Sequence, residues 1–297
     1  MIRRSSKAQI SEIQEDVSGL QEDVSGLQED VSGLQEDVSG LQEDVSGLQE
    51  DICPRYFITT TISNFTLTTR DIAKNIYING LSLDCSSGKT LELTSNLIAS
   101  DGTDAQATPS NSTLYYAYLS NASASYAPGE IRLSEIAPIG KYLGSSGNSK
   151  HWLWIANVYI ESDGTLGSKD VIPVYGNICF VYAKSVDLSK SSGSEGYYDF
   201  QSIVLPIPNG KKCSVISWML FGGGGNNYTS RQKIIAGSNE VFSPLVLFSS
   251  YNSISSSLFF VATSNEITTV KKQFYYTTGT VTVYGGNDSQ TIFSFFD

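Results

Sequence analysis

The side chains that could do chemistry in this chain are few and scattered. One histidine, His151, stands just before Trp152. A single imidazole excludes sites built from two or three, and with them most zinc hydrolase chemistry. No GxSxG-type motif supplies a nucleophile for it to activate, so His151 reads as a packed or surface histidine. Four cysteines, at 53, 85, 179 and 213, contain no CxxC pair, which argues against a zinc ribbon, a redox pair or an iron–sulfur site. Glycan cleavage needs two carboxylates across a cleft. Glu161 with Asp163, Asp187 with Glu195, and Asp199 offer the residue type only, in turn-like segments where acids commonly sit. Asp101-Gly102-Thr103-Asp104 starts like a calcium loop but lacks the EF-hand spacing and terminal glutamate. The run Gly222-Gly223-Gly224-Gly225-Asn226-Asn227 continues into Tyr228-Thr229, with no Lys-Ser/Thr and no helix to cradle a phosphate. It reads as a hairpin loop. The expectation is a non-enzyme with no cofactor and no metal.

Recognition chemistry is better represented. The chain has 17 Tyr and 13 Phe. Aromatic faces stack on sugar rings and tyrosine hydroxyls bond sugar hydroxyls, and Gly/Asn/Tyr loops make adaptable binding surfaces. Tyr197, Tyr198, Asn226, Asn227, Tyr228, Tyr251 and Tyr284 are therefore the candidate receptor contacts, with Tyr275 and Tyr276 in the same region. Tyr115, Tyr118, Phe293 and Phe295 fall inside strand-like runs and read as core or subunit-interface residues.

Charge divides the elements that must hold these residues. The 297-residue chain carries a formal charge of -11, and only 16% of its residues are charged. Residues 1–52 hold 13 acidic and three basic side chains, whereas the remaining 245 hold 17 and 16. An acidic chain argues against non-specific binding to nucleic acid or anionic lipid. No apolar run reaches the ~18 residues of a membrane span. The opening MIRRSSKAQISEIQ has no apolar stretch after its basic residues, so no secretory signal is read there. A cytosolic origin, followed by assembly into a particle, is the expectation.

The acidic segment is a repeat. The unit QEDVSGL recurs five times unchanged from Gln14 to Leu48, and a partial copy follows. With Val17, Val24, Val31, Val38 and Val45 at heptad position a, Leu20, Leu27, Leu34, Leu41 and Leu48 fall at d; Ile10, Ile13 and Ile52 extend the register. Sustained three–four spacing predicts a parallel coiled-coil stalk over 10–53. An odd period would throw a strand's apolar residues from face to face. Such a rod would be ~65 Å long. Gly19, Gly26, Gly33, Gly40 and Gly47 fall at outward position c, each costing ~1 kcal/mol relative to alanine in a helix. One isolated helix of this kind should not persist, so the seam must be covered by partner chains. Glu at f, Asp at g and Gln at e leave no charge code for a different partner, and a homo-oligomer follows. Val at a with Leu at d leans towards two strands. Pro54 stops the helix. Cys53, at the mouth of the coil, could bridge chains, though a cytosolic start favours a free thiol.

Beyond Pro54 the apolar period becomes two. Arg55–Ile62, Asn75–Asn79, Thr90–Thr94, Leu114–Leu119, Glu130–Ile136, Trp152–Ile160 and Val174–Val181 read as strands, with Asp163-Gly164 as a hairpin signal. A Ser-rich run, 189–194, separates these from about eight more, beginning near Tyr197, Cys213, Tyr228, Glu240, Ser257, Ile267, Thr280 and Thr291. That density predicts a sandwich or jelly roll. The plan is an N-terminal peptide 1–9, a stalk 10–53, a first β domain 55–187 and a distal β-sandwich head 195–297.

A heptad rod followed by Ser/Thr/Tyr/Gly-rich β modules resembles a viral fibre, most of all the tail or capsid fibres of bacteriophages. Leu114-Tyr115-Tyr116-Ala117-Tyr118-Leu119, Tyr126-Ala127-Pro128-Gly129, Ile131-Arg132-Leu133-Ser134, Tyr142-Leu143-Gly144 and Trp152-x-Trp154-Ile155-Ala156-Asn157-Val158 are similar in order to a module of phage tail-fibre proteins, over roughly residues 110–165. The resemblance implies a homotrimer, against the dimer to which the heptads lean. It implies a virion-bound N-terminus, with Arg3, Arg4 and Lys7 as candidate anchor, and an outward C-terminal head that binds a host surface glycan or protein. A structural capsid or neck whisker, a glycan-degrading tailspike and a secreted bacterial adhesin are the competing readings.

Overall fold

The computed structural model describes residues 2–51, 56–61, 63–69, 75–121, 127–191, 193–223, 228–248, 251–277 and 279–297, with the side chains of 2–6, 42–51, 228 and 248 outside the description. The chain divides into two compact units, Met1–Ile52 and Cys53–Asp297.

The first unit is one helix, α1 (Ile2–Asp51), about 75 Å long at 1.5 Å per residue. Serine competes for backbone bonds and is a weak helix former. Here Ser25, Ser32 and Ser39 turn their hydroxyls back onto the carbonyls of Gln21, Gln28 and Gln35, each at 2.9 Å. Nothing lies within 4 Å of the space a Cβ would take at Gly19, Gly26, Gly33 or Gly40. These glycines therefore answer no packing demand within the chain.

The second unit is all β, with two short 3-10 turns, Gly147–His151 and Gly286–Asp288, as its only helical pieces among the described residues. Its first half contains β1 (Tyr56–Thr60), β2 (Asn64–Thr69), β3 (Asn75–Ile78), β4 (Leu81–Asp84), β5 (Lys89–Glu92), β6 (Thr113–Ser120), β7 (Ile131–Ser134), β8 (Trp152–Ile160) and β9 (Val171–Pro173). They form a β1-β2-β5 sheet, a β3-β4 hairpin and a β7-β6-β8-β9 sheet, all antiparallel. Strand β8 is buried along nearly its whole length, which is why it is apolar at every position but Asn157. Tyr115 and Tyr118 are wholly buried on opposite faces of β6, in separate core clusters.

The second half contains β10 (Ile178–Ala183), β11 (Leu188–Lys190), β12 (Gly196–Pro206), β13 (Lys212–Gly223), β14 (Tyr228–Ser230), β15 (Gln232–Ala236), β16 (Asn239–Phe242), β17 (Val246–Phe248), β18 (Tyr251–Val261), β19 (Ile267–Tyr276), β20 (Val281–Val283) and β21 (Gln290–Phe296). One sheet runs β10-β21-β13-β20-β11, with β18 on the other edge of β13; the facing sheet runs β12-β19-β15-β16. Alternate residues of each sheet point inward. Val215, Phe293 and Phe295 meet Ile203, Ile234 and Val270 in one cluster, and Met219 and Phe221 meet Phe200 and Phe274 in another. This is a β-sandwich. Burying each such side chain stabilises by roughly 1.5–3 kcal/mol relative to leaving it in water.

The division at 189–194 does not hold. Strand β10 pairs along its full length with β21, Ile178 opposite Phe295, and β11 pairs with β20. The change of module therefore falls near residue 175. The Ser-rich run contributes an edge strand, because Ser189 hydrogen-bonds Thr282 across the pair. Lys211, its side chain 2% exposed, ties the halves together: its ammonium donates to the carbonyls of Val174 (3.1 Å) and Gly176 (2.6 Å) and to Asp297 Oδ1 (2.7 Å).

A second lysine is buried inside the sandwich. Lys272 Nζ donates to the carbonyls of Trp218 (3.0 Å) and Gln290 (3.1 Å) and to Thr291 Oγ1 (3.2 Å). Burial pulls its ammonium down from the usual lysine range to about 7.

Candidate functional site

Helix α1 exposes a stripe. Ile10, Ile13, Val17, Leu20, Val24, Leu27, Val31, Leu34, Val38 and Leu41 are 47–63% exposed. The spacing that predicts a seam thus gives a continuous apolar band on an otherwise polar helix. The side chains of Arg3, Arg4, Val45 and Leu48 lie outside the described residues, as do Ile52 and Cys53 altogether. Lys7 is exposed on the helix.

The candidate receptor contacts separate into distinct places. Adjacent strand residues face opposite ways, and Tyr197 and Tyr198 do so. Tyr198 packs on Phe274 and Tyr276, lies under the Lys190 ammonium (4.2 Å) and donates to the Ser194 carbonyl. Tyr197 faces outward beside Tyr275, with ring centroids 5.1 Å apart, and beside Phe242 at 5.8 Å. The Arg231 guanidinium carbon stands 5.0–5.5 Å from all three rings. Lys233 Nζ is 5.4 Å from Tyr197 and 4.9 Å from Phe242, and pairs with Glu240 at 2.6 Å. Tyr275 donates to Glu195, which pushes its phenol above the usual range. Tyr197 Oη and Arg231 Nε are buried and have no protein partner among the described residues.

This is an aromatic platform with two cations across it. Rings of this kind stack on the apolar face of a sugar, and a guanidinium suits a carboxylate, sulfate or phosphate group. Strand register assembles it: Tyr197 lies opposite Tyr275, and Lys233 opposite both Gln273 and Phe242. Tyr197 and Tyr275 stand out in the sequence as tyrosines. Arg231, Lys233 and Phe242 do not, although Arg231 and Lys233 carry the same-face spacing of two.

Tyr251 and Tyr284 form a second group. Their rings are 5.7 Å apart above Gly222, and the hydrogen bond between them raises the Tyr284 phenol. A Cβ on Gly222 would stand 2.7 Å from Tyr284 Cε2 and 3.0 Å from Tyr251 Cε1, so glycine is what lets the rings close over the strand. The first two glycines of the run end β13; residues 224–227, with Asn226 and Asn227, and the Tyr228 side chain lie outside the description.

The other reactive residue types have structural partners. His151 Nδ1 accepts from Asn121 Nδ2 (3.1 Å), and burial and Lys150 lower its pKa, so the neutral ring is favoured. Glu161 pairs with Lys169, Asp187 accepts from the Gly285 amide (2.7 Å), and Asp199 from Gln273 (2.6 Å). Asp101 and Asp163 each cap their own turn through the amide and hydroxyl of a threonine two residues on, which lowers both pKa values. No group of three or more metal-ligating residues occurs among the described residues. Burial pushes the Cys85 thiol up to about 11 and that of Cys213 to about 12, so neither is a thiolate at neutral pH. No helix among the described residues is long and apolar enough to cross a membrane.

No family model matches the chain, and no curated protein does. Among solved structures, the chain is similar to that of the Gt strain of infectious bursal disease virus, with a TM-score of 0.29 and 10% identity over 83% of this chain and 78% of that one. The VP2 subviral particle of the same virus gives 0.27 and 11%, over 83% and 78%. Dimeric latent PorU from Porphyromonas gingivalis gives 0.28 and 11%, over 84% and 25%. A virus particle and a bacterial protein match at one level, and a likeness this slight between β-rich chains does not establish a common fold.

Proposed function

We propose that the chain is a viral fibre protein, whose helix winds with identical helices into a parallel coiled coil, as a homotrimer, and whose β unit binds a glycan on a host surface. The observation that carries this reading is the unbroken Ile/Val/Leu stripe of α1, half-exposed in the single chain and repeated every seven residues. An apolar band of that length on a soluble helix calls for partners, and identical repeats offer identical chains as partners. The basic residues Arg3, Arg4 and Lys7 hold the virion end. The coil spaces the β unit from the particle, a task that tolerates loss or gain of whole heptads. The platform of Tyr197, Tyr275, Phe242, Arg231 and Lys233 is the receptor surface. Several copies on one particle bind by avidity, so each contact can be weak.

Sedimentation of the full chain beside a Leu27→Asn/Leu34→Asn variant tests the assembly. Three chains per particle are expected for the parent and dissociation for the variant, since each lost leucine removes roughly 1.5–3 kcal/mol of burial per chain. A monomeric parent would sink the proposal. Receptor contact is tested by adsorption of labelled full-length protein to host cells, with Arg231→Ala/Tyr275→Ala as comparison. Equal adsorption by the two would remove the platform from receptor binding and favour the whisker reading.

A further inference from the structure

The two outer faces of the β-sandwich differ in charge. The β12-β19-β15-β16 sheet turns Asp199, Lys233, Glu240 and Lys271 outward. The opposite sheet has two charged residues in all its strands: Lys190, whose ammonium lies over Tyr198, and Lys212 at one end of β13. Its outer face instead stacks neutral rows across the strands. Phe259, Ser214, Ser294 and Cys179 form one row; Ser257, Ile216, Ile292 and Val181 form the next. Val181 is 54% exposed, Ile216 44% and Phe259 57%. An antiparallel sheet that faces water on one side carries polar and charged residues there. This face carries serine, aliphatic and aromatic residues instead, and a broad neutral face of this kind marks a contact surface.

We infer that this face is covered by a neighbouring copy of the same chain, so that the β units, and not only the helices, contact one another in the assembly. The inference rests on the oligomer proposed above, because the occupant is argued from the helix. An Ile/Val/Leu seam that joins identical helices brings identical β units with it at high local concentration, where even a weak face contact closes. Neutral rows on each copy meet with no like charges opposed. The charged sheet with its aromatic platform is then left facing solvent. The Tyr251–Tyr284 pair over Gly222 lies on the outer side of β13 and belongs to the covered face.

Cys179 reports on this contact. Its side chain is exposed in the single chain, on the same row as Phe259, with Ser294 Oγ donating to its sulfur at 3.5 Å. The full-length protein is treated with iodoacetamide, modification at Cys179 is read by peptide mass spectrometry, and the oligomeric state is measured in the same sample. The expected result is an oligomer in which Cys179 reacts at least about tenfold more slowly than in the denatured chain, as for a site that reacts only on local opening. Ile216→Glu, a charge placed at the middle of the face, should restore reactivity while the helices keep the chains together; Ile216→Ser should not. An oligomer whose Cys179 reacts as fast as in the denatured chain overturns the contact and leaves the coiled coil standing. A monomer overturns both.

Discussion

Lys272 gives the most quantitative test of the fold. Its ammonium is enclosed between the two sheets with two carbonyls and one hydroxyl as acceptors. The fall from the ordinary value of 10.5 to about 7 corresponds to about 5 kcal/mol of disfavoured charge. The three hydrogen bonds favour the charged form, so this figure is a ceiling. Below pH 7 both folded and unfolded chains hold the proton, and the folded state carries the whole cost. Between 7 and 10.5 the unfolded chain keeps the proton and the folded chain releases it, so stability rises with pH, by up to ~1.4 kcal/mol per unit. From pH 7 to 9 the gain is about 2 kcal/mol. Urea denaturation followed by tryptophan fluorescence, at several values between pH 6 and 9, would measure it against Lys272→Met. The methionine variant leaves the Trp218 and Gln290 carbonyls without this donor, at roughly 1–3 kcal/mol each, which offsets what it saves in charge burial. The two proteins should be close in stability at pH 6, with the parent ahead by about 2 kcal/mol at pH 9. Parallel pH profiles would refute the reasoning, because the amine would then not be the titrating group.

Further substitutions probe single contacts. Lys211→Ala should destabilise the β unit by about 2–3 kcal/mol in the same assay, because the Val174 and Gly176 carbonyls lose their donor. Asp297→Asn should cost less than about 1 kcal/mol, since that carboxylate is half-exposed and the carbonyl contacts remain. Gly222→Ala drives a methyl into the Tyr284 and Tyr251 rings and should cost about 1–2 kcal/mol, as overpacking does. Tyr284→Ala in the same chain should recover most of that loss in a double-mutant cycle, and a purely additive pair would deny the contact.

Much of the architecture was legible without coordinates. The seven-residue period fixes a long helix with one apolar stripe, because a 3.6-residue turn returns positions a and d to one face. Trp152–Ile160 reads as a strand from its aromatic and aliphatic run, broken only by Asn157, and Asp163-Gly164 marks the β8–β9 hairpin, where Gly164 adopts a φ of +80°. Local composition determines such things because turns and strand periods depend on near neighbours.

Pairing between distant strands is not written locally. Ile178–Ala183 precedes the Ser-rich run yet completes its sheet with Gln290–Phe296, more than a hundred residues away. Composition placed the module break at the serines; hydrogen bonding moved it towards residue 175. The recognition platform has the same origin. Tyrosines are conspicuous, but Arg231, Lys233 and Phe242 reach Tyr197 and Tyr275 only once four strands are in register. Tyr198, equally conspicuous, is turned to the other side by the same pleat. Periodicity is enough to mark the helix with its apolar stripe and many of the strands, though not Asn64–Thr69 or Leu81–Asp84. The tertiary structure alone decided which lysine is dry, which tyrosines face water and which sheet face lacks charge, since these depend on partners that the chain brings from far away.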